Sequence, residues 1–191
     1  GGYGASEFFD GHSCLCFPNN TSNIPIEVTE TEANIYYIKK ELVMDSGGAG
    51  KCRGGLGQEI EFCILDNETT SDQYVETSVR LSGRTETGPF PVRGVLGGSN
   101  GRGSGMWIDK KAVDHGIYRR LNPTSIVKFI ISGGGGYGNA VDRNPEKVLE
   151  DVKQGYVSIN SAKIDYSVLI NPKDMTIDIK GTDLLRKRNN A

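Results

Sequence analysis

The sequence predicts a mainly β (α+β) fold: an antiparallel, sandwich-like β-sheet domain with glycine-rich turns and a small helical segment at the C-terminus. Apolar and polar residues alternate in several short runs, which is typical of half-buried strands. Glycine supplies 26 of the 191 residues, and its clusters follow strand-like runs, where a backbone without Cβ turns sharply or approaches another group closely. Helix signals come only after the strands, which argues against a doubly wound fold.

The strand patterns come first along the chain. Residues 24–28 predict an edge strand, because Pro25 has no N–H to donate to a central ladder. Residues 34–44 predict a long strand with four apolar side chains on one face: Tyr36, Ile38, Leu42 and Met44. Four further strands are predicted at residues 58–65, 74–81, 105–109 and 125–132.

The helix signals lie in the last fifty residues. Residues 144–155 predict a helix with Asn144 as N-cap, Pro145 at the first helical position and Gly155 just after the end. A shorter helix is predicted from Ser158, then a strand at 166–170 and a basic helix at 182–188. We therefore predict a β-rich domain over residues 1–140, with a helix–strand–helix tail over 141–191 packed on the same domain.

Composition limits the class of function. The formal net charge is −2 and the isoelectric point is near 5.8, so the composition does not predict binding to nucleic acid or to an anionic membrane. No apolar run approaches the roughly 20 residues of a spanning helix. Because the chain begins with Gly1 rather than Met, we interpret it as part of a longer protein. Its cysteines are too few and unevenly spaced for a disulfide framework, so free thiols in a reducing cytoplasm are expected: Cys14, Cys16, Cys52 and Cys63.

Two glycine motifs suggest a nucleotide site, and each departs from the pattern. Gly133-x-Gly135-x-x-Gly138 matches G-x-G-x-x-G, but the helix that should open from this loop begins only at Pro145. Gly50-Lys51-Cys52 matches the end of a phosphate-binding loop, but Asp45 replaces its first glycine and Cys52 its magnesium-binding hydroxyl. We interpret both stretches as glycine-built turns.

The sequence contains two histidines, His12 and His115, so any catalysis by an imidazole must use one of them. In Asp10-Gly11-His12 a carboxylate precedes an imidazole by two residues within a loop, which suits an oriented base or part of a metal site. An equally simple interpretation is a surface histidine, since D-x-H is common. His115, between Asp114 and Gly116, is expected in a turn. From the residues alone, the chain carries no complete catalytic set.

Several segments together carry a resemblance to one family. They are Gly1-Gly-Tyr-Gly-Ala5, Asp10-Gly-His12, Asn20-Thr-Ser-Asn-Ile-Pro-Ile-Glu-Val28, Asp45-Ser-Gly-Gly-Ala-Gly-Lys-Cys-Arg-Gly-Gly-Leu-Gly57 and Ser132-Gly-Gly-Gly-Gly-Tyr-Gly138. In this order they resemble the C-terminal part of hydantoinase B, a family that includes the B-type subunits of N-methylhydantoinases and 5-oxoprolinases and is related to acetone carboxylase. The helix before Gly155 and the following Tyr156-Val-Ser158 extend the match over nearly the whole chain.

The resemblance implies a cytoplasmic hetero-oligomer in which ATP and Mg²⁺ are held by a hydantoinase A-type subunit. That partner would phosphorylate an amide oxygen, and the B-type chain would open the ring of a hydantoin or of 5-oxoproline. It also implies a missing N-terminal half, where a divalent metal has room, and no cofactor in this fragment. The fragment alone is then expected to be inactive.

The family's D-G-x-H segment maps onto Asp10 and His12 as catalytic candidates, although this sequence lacks the spacer before the histidine. Its N-x-x-N-x-P-x-E segment maps onto Asn20, Asn23 and Glu27 as substrate-binding candidates. Two alternatives stay open: the C-terminal domain of a metal-dependent acetone-type carboxylase, and a non-catalytic module that docks subunits.

Overall fold

The computed structural model describes residues 1–15, 24–33, 35–65, 91–113, 121 and 125–189. These ranges contain two β-sheets, four α-helices and one short 3-10 helix. In chain order the elements are α1 (Ile26–Glu32), β1 (Ile35–Leu42), β2 (Gln58–Ile64), β3 (Gly105–Ile108), β4 (Lys111–Ala112), β5 (Ile126–Ile131), the 3-10 helix (Ala140–Asp142), α2 (Pro145–Lys153), α3 (Ile159–Ile164), β6 (Ile170–Asn171), β7 (Thr176–Ile177) and α4 (Ile179–Asn189).

The larger sheet is antiparallel, with the strand order β1-β2-β5-β3-β4. The mainly β, α+β prediction is confirmed, and so are the strands expected near residues 34–44, 58–65, 105–109 and 125–132. The strand predicted at 24–28 is wrong, because α1 begins at Ile26 directly after Pro25, which suits the start of a helix. The strand predicted at 74–81 lies outside the described residues.

One face of this sheet carries a side-chain core. Phe62 lies between Tyr37 and Phe129, with ring centroids 5.9 and 5.8 Å apart, and Val127 is fully buried beside them. The four apolar side chains predicted for one face of β1 do not join this core: Tyr36, Ile38, Leu42 and Met44 are all exposed. The register shifts between Tyr37 and Lys39, and this bulge breaks the simple alternation along the strand.

A second region is built almost wholly from backbone. Five segments, at residues 1–5, 10–12, 46–57, 92–102 and 132–138, are joined by scattered main-chain hydrogen bonds rather than by a continuous ladder. We call this region the glycine core. Gly134 donates to the carbonyl oxygen of Gly55 at 2.9 Å, and Gly48 donates to that of Gly134 at 2.8 Å.

Close approach, more than turning, explains the glycines in this core. A Cβ on Gly134 would overlap the carbonyl oxygen of Tyr3, and one on Gly55 would overlap that of His12. The predicted glycine turn after β5 differs from the structure, since residues 133–136 are buried between other segments instead of forming a loop at the surface. Side chains are excluded here because neighbouring backbones occupy their space.

The C-terminal residues pack against this core. Val148 of α2, Ala162 of α3 and Val168 are fully buried and cluster with Ala49 from a glycine-rich segment. The predicted N-cap of α2 is confirmed, because the Asn144 side chain accepts from the N–H of Glu146. The shorter helix predicted from Ser158 is confirmed as α3, and there the Ser158 side chain accepts from the N–H of Ser161.

Gly155 follows α2 with a φ of +73°, in the position predicted for it. Two other details of the tail differ from prediction. The strand expected at 166–170 is reduced to Ile170 at its end, because Ser167 has a φ of +55° that interrupts extended backbone. The final helix is longer than predicted, running from Ile179 to Asn189.

Candidate functional site

The Asp10-Gly11-His12 loop is held by the glycine core. Gly11 donates its N–H to the carbonyl oxygen of Arg53 at 2.7 Å, and Arg53 donates its own N–H to Asp10 Oδ1 at 2.6 Å. The carbonyl oxygen of His12 accepts from the N–H of Tyr3 at 2.9 Å. The loop is therefore fixed through its backbone on both sides of Gly11.

A buried ion-pair network ties this loop to the C-terminal helices. Arg143 makes a bidentate pair with Asp10, at 2.7 Å to Oδ1 and 2.8 Å to Oδ2. The same guanidinium donates to Asp151 Oδ2 at 3.1 and 2.8 Å. Asp151 Oδ1 in turn accepts from Arg53 Nε at 3.3 Å. The Arg143 side chain is only 2% exposed, so its guanidinium charge would strongly destabilise the fold if it had no anionic partner.

Electrostatics in this network favour the charged state. Burial raises the pKa of Asp10, but hydrogen bonds and charge from Arg143, with the Arg53 N–H, outweigh it and hold that pKa below its ordinary value. Burial alone would lower the pKa of Arg143, but Asp10 and Asp151 reverse the direction and raise it. Both ends of the pair are therefore ionised at neutral pH.

Asp10 and His12 play different parts in this geometry. The Asp10 oxygens accept from Arg143 and from the Arg53 backbone, and no described hydrogen bond joins Asp10 to the His12 imidazole. His12 is exposed, with its backbone fixed and its ring open to solvent. The arrangement presents an imidazole at the surface of a rigid loop, while the neighbouring carboxylate anchors that loop.

The substrate-binding candidates are not brought together with this loop by any described contact. Glu27 is exposed in the first turn of α1, and Asn20 and Asn23 lie outside the described residues. Helix α1 is attached to the edge of the sheet, where Glu30 Oε1 accepts from the N–H of Tyr37 at 2.7 Å. The predicted roles of Asn20, Asn23 and Glu27 therefore stay predictions.

The described residues do not fit a metal site or a dinucleotide loop. Across these ranges no group of three or more His, Cys, Asp or Glu side chains converges to hold an ion. Gly133, Gly134 and Gly136 already donate their N–H groups to the carbonyls of Arg102, Gly55 and Ser99, so these donors are not available to a phosphate. No helix in the described part of the chain is both long and apolar enough to cross a membrane.

Sequence reasoning missed Arg143, Arg53 and Asp151. A signal for Asp151 was present, because it lies three residues after Val148, on the apolar stripe of α2. A carboxylate on a buried stripe needs a cationic partner. No sequence signal identified which arginines supply it, because Arg53 lies 98 residues from Asp151 and Arg143, although only eight residues before Asp151, lies outside the helix and its periodic pattern.

Comparison with known proteins identifies the family. The model of the family "Hydantoinase B/oxoprolinase" matches residues 1–140. The chain belongs to this family. The predicted resemblance is therefore confirmed.

Relatives by sequence are much longer than the chain. An uncharacterized protein of Methanocaldococcus jannaschii is 37% identical over 86% of the chain and 28% of its own length. The beta subunit of the caprolactamase of Pseudomonas jessenii is 32% identical over 89% of the chain and 30% of its own length. A protein of a Pseudomonas species, named as the B-type subunit of a D-/L-hydantoinase, is 29% identical over 98% and 31%. The 191 residues thus span about a third or less of these relatives.

Solved structures share the fold. The ATP-dependent caprolactamase of Pseudomonas jessenii matches 97% of this chain with a TM-score of 0.70 and 27% identity, over 32% of its own chain. Nucleotide-free acetone carboxylase matches 99% of this chain with a TM-score of 0.71, over 29% of its own chain. At 18% sequence identity, the match to acetone carboxylase shows a shared fold and nothing further.

Proposed function

We propose that these residues form part of the B-type subunit of an ATP-dependent cyclic-amide hydrolase that opens a hydantoin or 5-oxoproline ring. The observation that carries the proposal is the match of 97% of the chain to an ATP-dependent caprolactamase. The family match over residues 1–140 and the relative named for a hydantoinase support the same class. Caprolactam and hydantoin, the compounds in these names, are both cyclic amides.

The chemistry explains the need for a second subunit. An unstrained lactam carbonyl is a poor electrophile, and transfer of the γ-phosphoryl group of ATP to its oxygen activates the carbonyl carbon. Water adds to this carbon, the C–N bond breaks as the ring nitrogen takes up a proton and leaves as the amine, and a second water hydrolyses the resulting acyl phosphate to a carboxylate and inorganic phosphate. We place ATP and Mg²⁺ on an A-type partner subunit, in a cytoplasmic hetero-oligomer. The present chain would then handle the activated ring together with the rest of its own subunit, and would be inactive alone. The missing N-terminal half of the subunit is our proposed place for a divalent metal.

Within this proposal the loop residues have separate roles. His12 is the candidate general base or acid, because its imidazole is exposed on a loop whose backbone is fixed. Asp10 acts as a positioning residue through its bidentate pair with Arg143. Asn20, Asn23 and Glu27 are proposed to bind the substrate, with polar side chains suited to the amide groups of the ring.

The test is ADP release by the full-length subunit with its A-type partner, measured against 5-oxoproline, a hydantoin, caprolactam, and a ketone with bicarbonate. We expect at least one cyclic amide to stimulate ADP release, with ring-opened product formed in step. Stimulation by ketone plus bicarbonate alone would contradict the hydrolase and support the carboxylase alternative. No stimulation by any of them, in a complex that assembles only when residues 1–191 are present, would support the docking module instead.

A further inference from the structure

Two tight turns present large apolar side chains to solvent. The first turn carries Phe8 and Phe9, which are 74% and 72% exposed, and the second carries Val95 and Leu96, which are 52% and 72% exposed. We call these four residues the two-turn surface. A single exposed apolar side chain is common on a protein surface, but four together on neighbouring turns form a patch, which points to a role outside the described fold.

Both turns emerge from one end of the glycine core. Cys52 Sγ lies 3.5 Å from the carbonyl oxygen of Glu7, at the first turn. Cys52 also pairs with Tyr137, which pairs on its other side with Val95 of the second turn. Since neighbouring extended segments lie about 4.8 Å apart, the two turns are separated by roughly 10–15 Å. They therefore form one surface rather than two isolated tips.

Each turn holds its apolar residues outward in a fixed conformation. In the first, Ser6 donates its N–H to the carbonyl oxygen of Phe9 at 3.0 Å, and the Phe9 N–H donates to Ser6 Oγ at 3.2 Å. In the second, the N–H of Gly98 donates to the carbonyl oxygen of Val95 at 3.0 Å. Leu96 there has a φ of +51°, which is unfavourable for a leucine. The chain thus retains a strained leucine whose side chain it does not bury.

The area of the surface indicates the kind of occupant. Four side chains of these sizes and exposures offer on the order of 500 Å² of apolar area. A stable complex between separate proteins needs about 800 Å² on each partner. A smaller contact suffices when its occupant is covalently tethered, because tethering raises the effective concentration to about the millimolar range. The exposed side chains of Glu7 and Lys51 flank the surface, as polar residues rim an interface.

We propose that the two-turn surface is a docking site for the remainder of a full-length B-type subunit, which covers Phe8, Phe9, Val95 and Leu96. The proposal rests on the proposed function in one respect, that the chain is part of a longer subunit. The relatives support a tethered occupant of sufficient size, since about 70% of the caprolactamase and hydantoinase relatives lies outside the matched region. The occupant is expected to present an apolar groove with polar edges.

The first test is thiol alkylation of the full-length subunit carrying Phe8→Cys, Leu96→Cys or, as a control, Ile164→Cys. Ile164 is 65% exposed in α3 and is not one of the four residues of the two-turn surface. Labelling is assigned to peptides by mass spectrometry, and each native rate is divided by the rate at the same site in denaturant. We expect at least tenfold protection at positions 8 and 96 relative to position 164.

Two results would overturn the proposal. Equal reactivity at all three sites would mean that the surface is free, and protection only after the A-type subunit is added would mean that a separate chain covers it. Neither result depends on turnover. ADP release with a cyclic amide, measured on the same preparations, therefore tests the proposed function separately.

A second test uses the strained leucine. Leu96→Gly relieves the left-handed backbone and removes the apolar side chain, so we expect protection at Phe8→Cys to fall at least fivefold. The matched control is Lys110→Gly, which relieves a φ of +67° at an exposed turn between β3 and β4, outside the surface. Lys110→Gly should leave protection at position 8 unchanged, and equal deprotection by both variants would contradict specific docking.

Discussion

The sheet and the glycine core are stabilised by opposite uses of side chains. In the sheet, Phe62 and Val127 fill space between strands, and stability comes from apolar surface removed from water. In the glycine core, Gly55 and Gly134 leave space empty of side chains so that carbonyls and N–H groups of neighbouring segments meet. The sheet is therefore destabilised when side-chain atoms are removed, whereas the glycine core is destabilised when side-chain atoms are added.

The strongest test of this comparison adds one carbon to the glycine core. Gly134→Ala places a methyl group on the carbonyl oxygen of Tyr3, and backbone on both sides prevents relaxation. We expect a loss of more than about 4 kcal/mol in the free energy of unfolding, measured by urea denaturation. The matched control is Gly4→Ala, where the nearest atom to the new Cβ is 3.9 Å away. Similar small losses in both variants would contradict the proposed packing.

A second prediction removes the charge that joins the glycine core to α2. Arg143→Met leaves Asp10 and Asp151 without their shared cation in a largely buried site. Breaking such a pair costs about 3–5 kcal/mol, and we expect a loss in this range from denaturant unfolding. Lys39→Met is the control on the sheet, where Glu59 keeps Lys128 as a partner and the loss should stay below about 1 kcal/mol. Equal losses would show that the network has no special role.

The third prediction removes atoms from the sheet. Val127→Ala deletes two methyl groups from a side chain with no exposed surface. We expect a loss of about 2 kcal/mol from transfer and cavity terms, measured in the same denaturant series. The comparison requires this loss to be smaller than that of Gly134→Ala. The reverse order would mean that the glycine core tolerates side chains.

The smallest expected effect is a pH dependence. The pKa of Asp10 is lower in the folded chain than its ordinary value of 3.8, so its pairing stabilises the fold above that value. Stability from this pair is lost as the pH falls below 3.8 and the carboxylate takes up a proton. Asp10→Asn should flatten the dependence of unfolding free energy on pH in this acidic range. An unchanged slope would indicate that protonation of Asp10 does not cause the pH dependence of the unfolding free energy.

Much of the regular structure follows from local sequence patterns. Alternation in residues 58–64 predicts β2, and the N-cap of Asn144 with Pro145 predicts α2. These signals act over a few residues, so the sequence carries them directly. Helix α1 was missed because Pro25 suits both an edge strand and the residue before a helix.

The glycine core and the ion-pair network depend on contacts between distant segments. The glycines predict close approach of backbone, but not which segments meet, since Gly55 contacts both Tyr3 and Gly134. Asp10 was identified through its motif, whereas its partner Arg143 lies 133 residues away. Long-range pairing of this kind has no periodicity, and local reasoning therefore cannot supply it.

The most direct test of the central claim, that the glycine core holds the loop of His12 for chemistry, is turnover by His12→Ala in the full-length subunit with its A-type partner. The measurement is kcat for ADP release with the cyclic amide that stimulates the wild type. We predict a loss of about 10²-fold or more, with an unchanged free energy of unfolding because the imidazole is exposed. Wild-type kcat in the variant would contradict the claim and reduce the loop to a structural element.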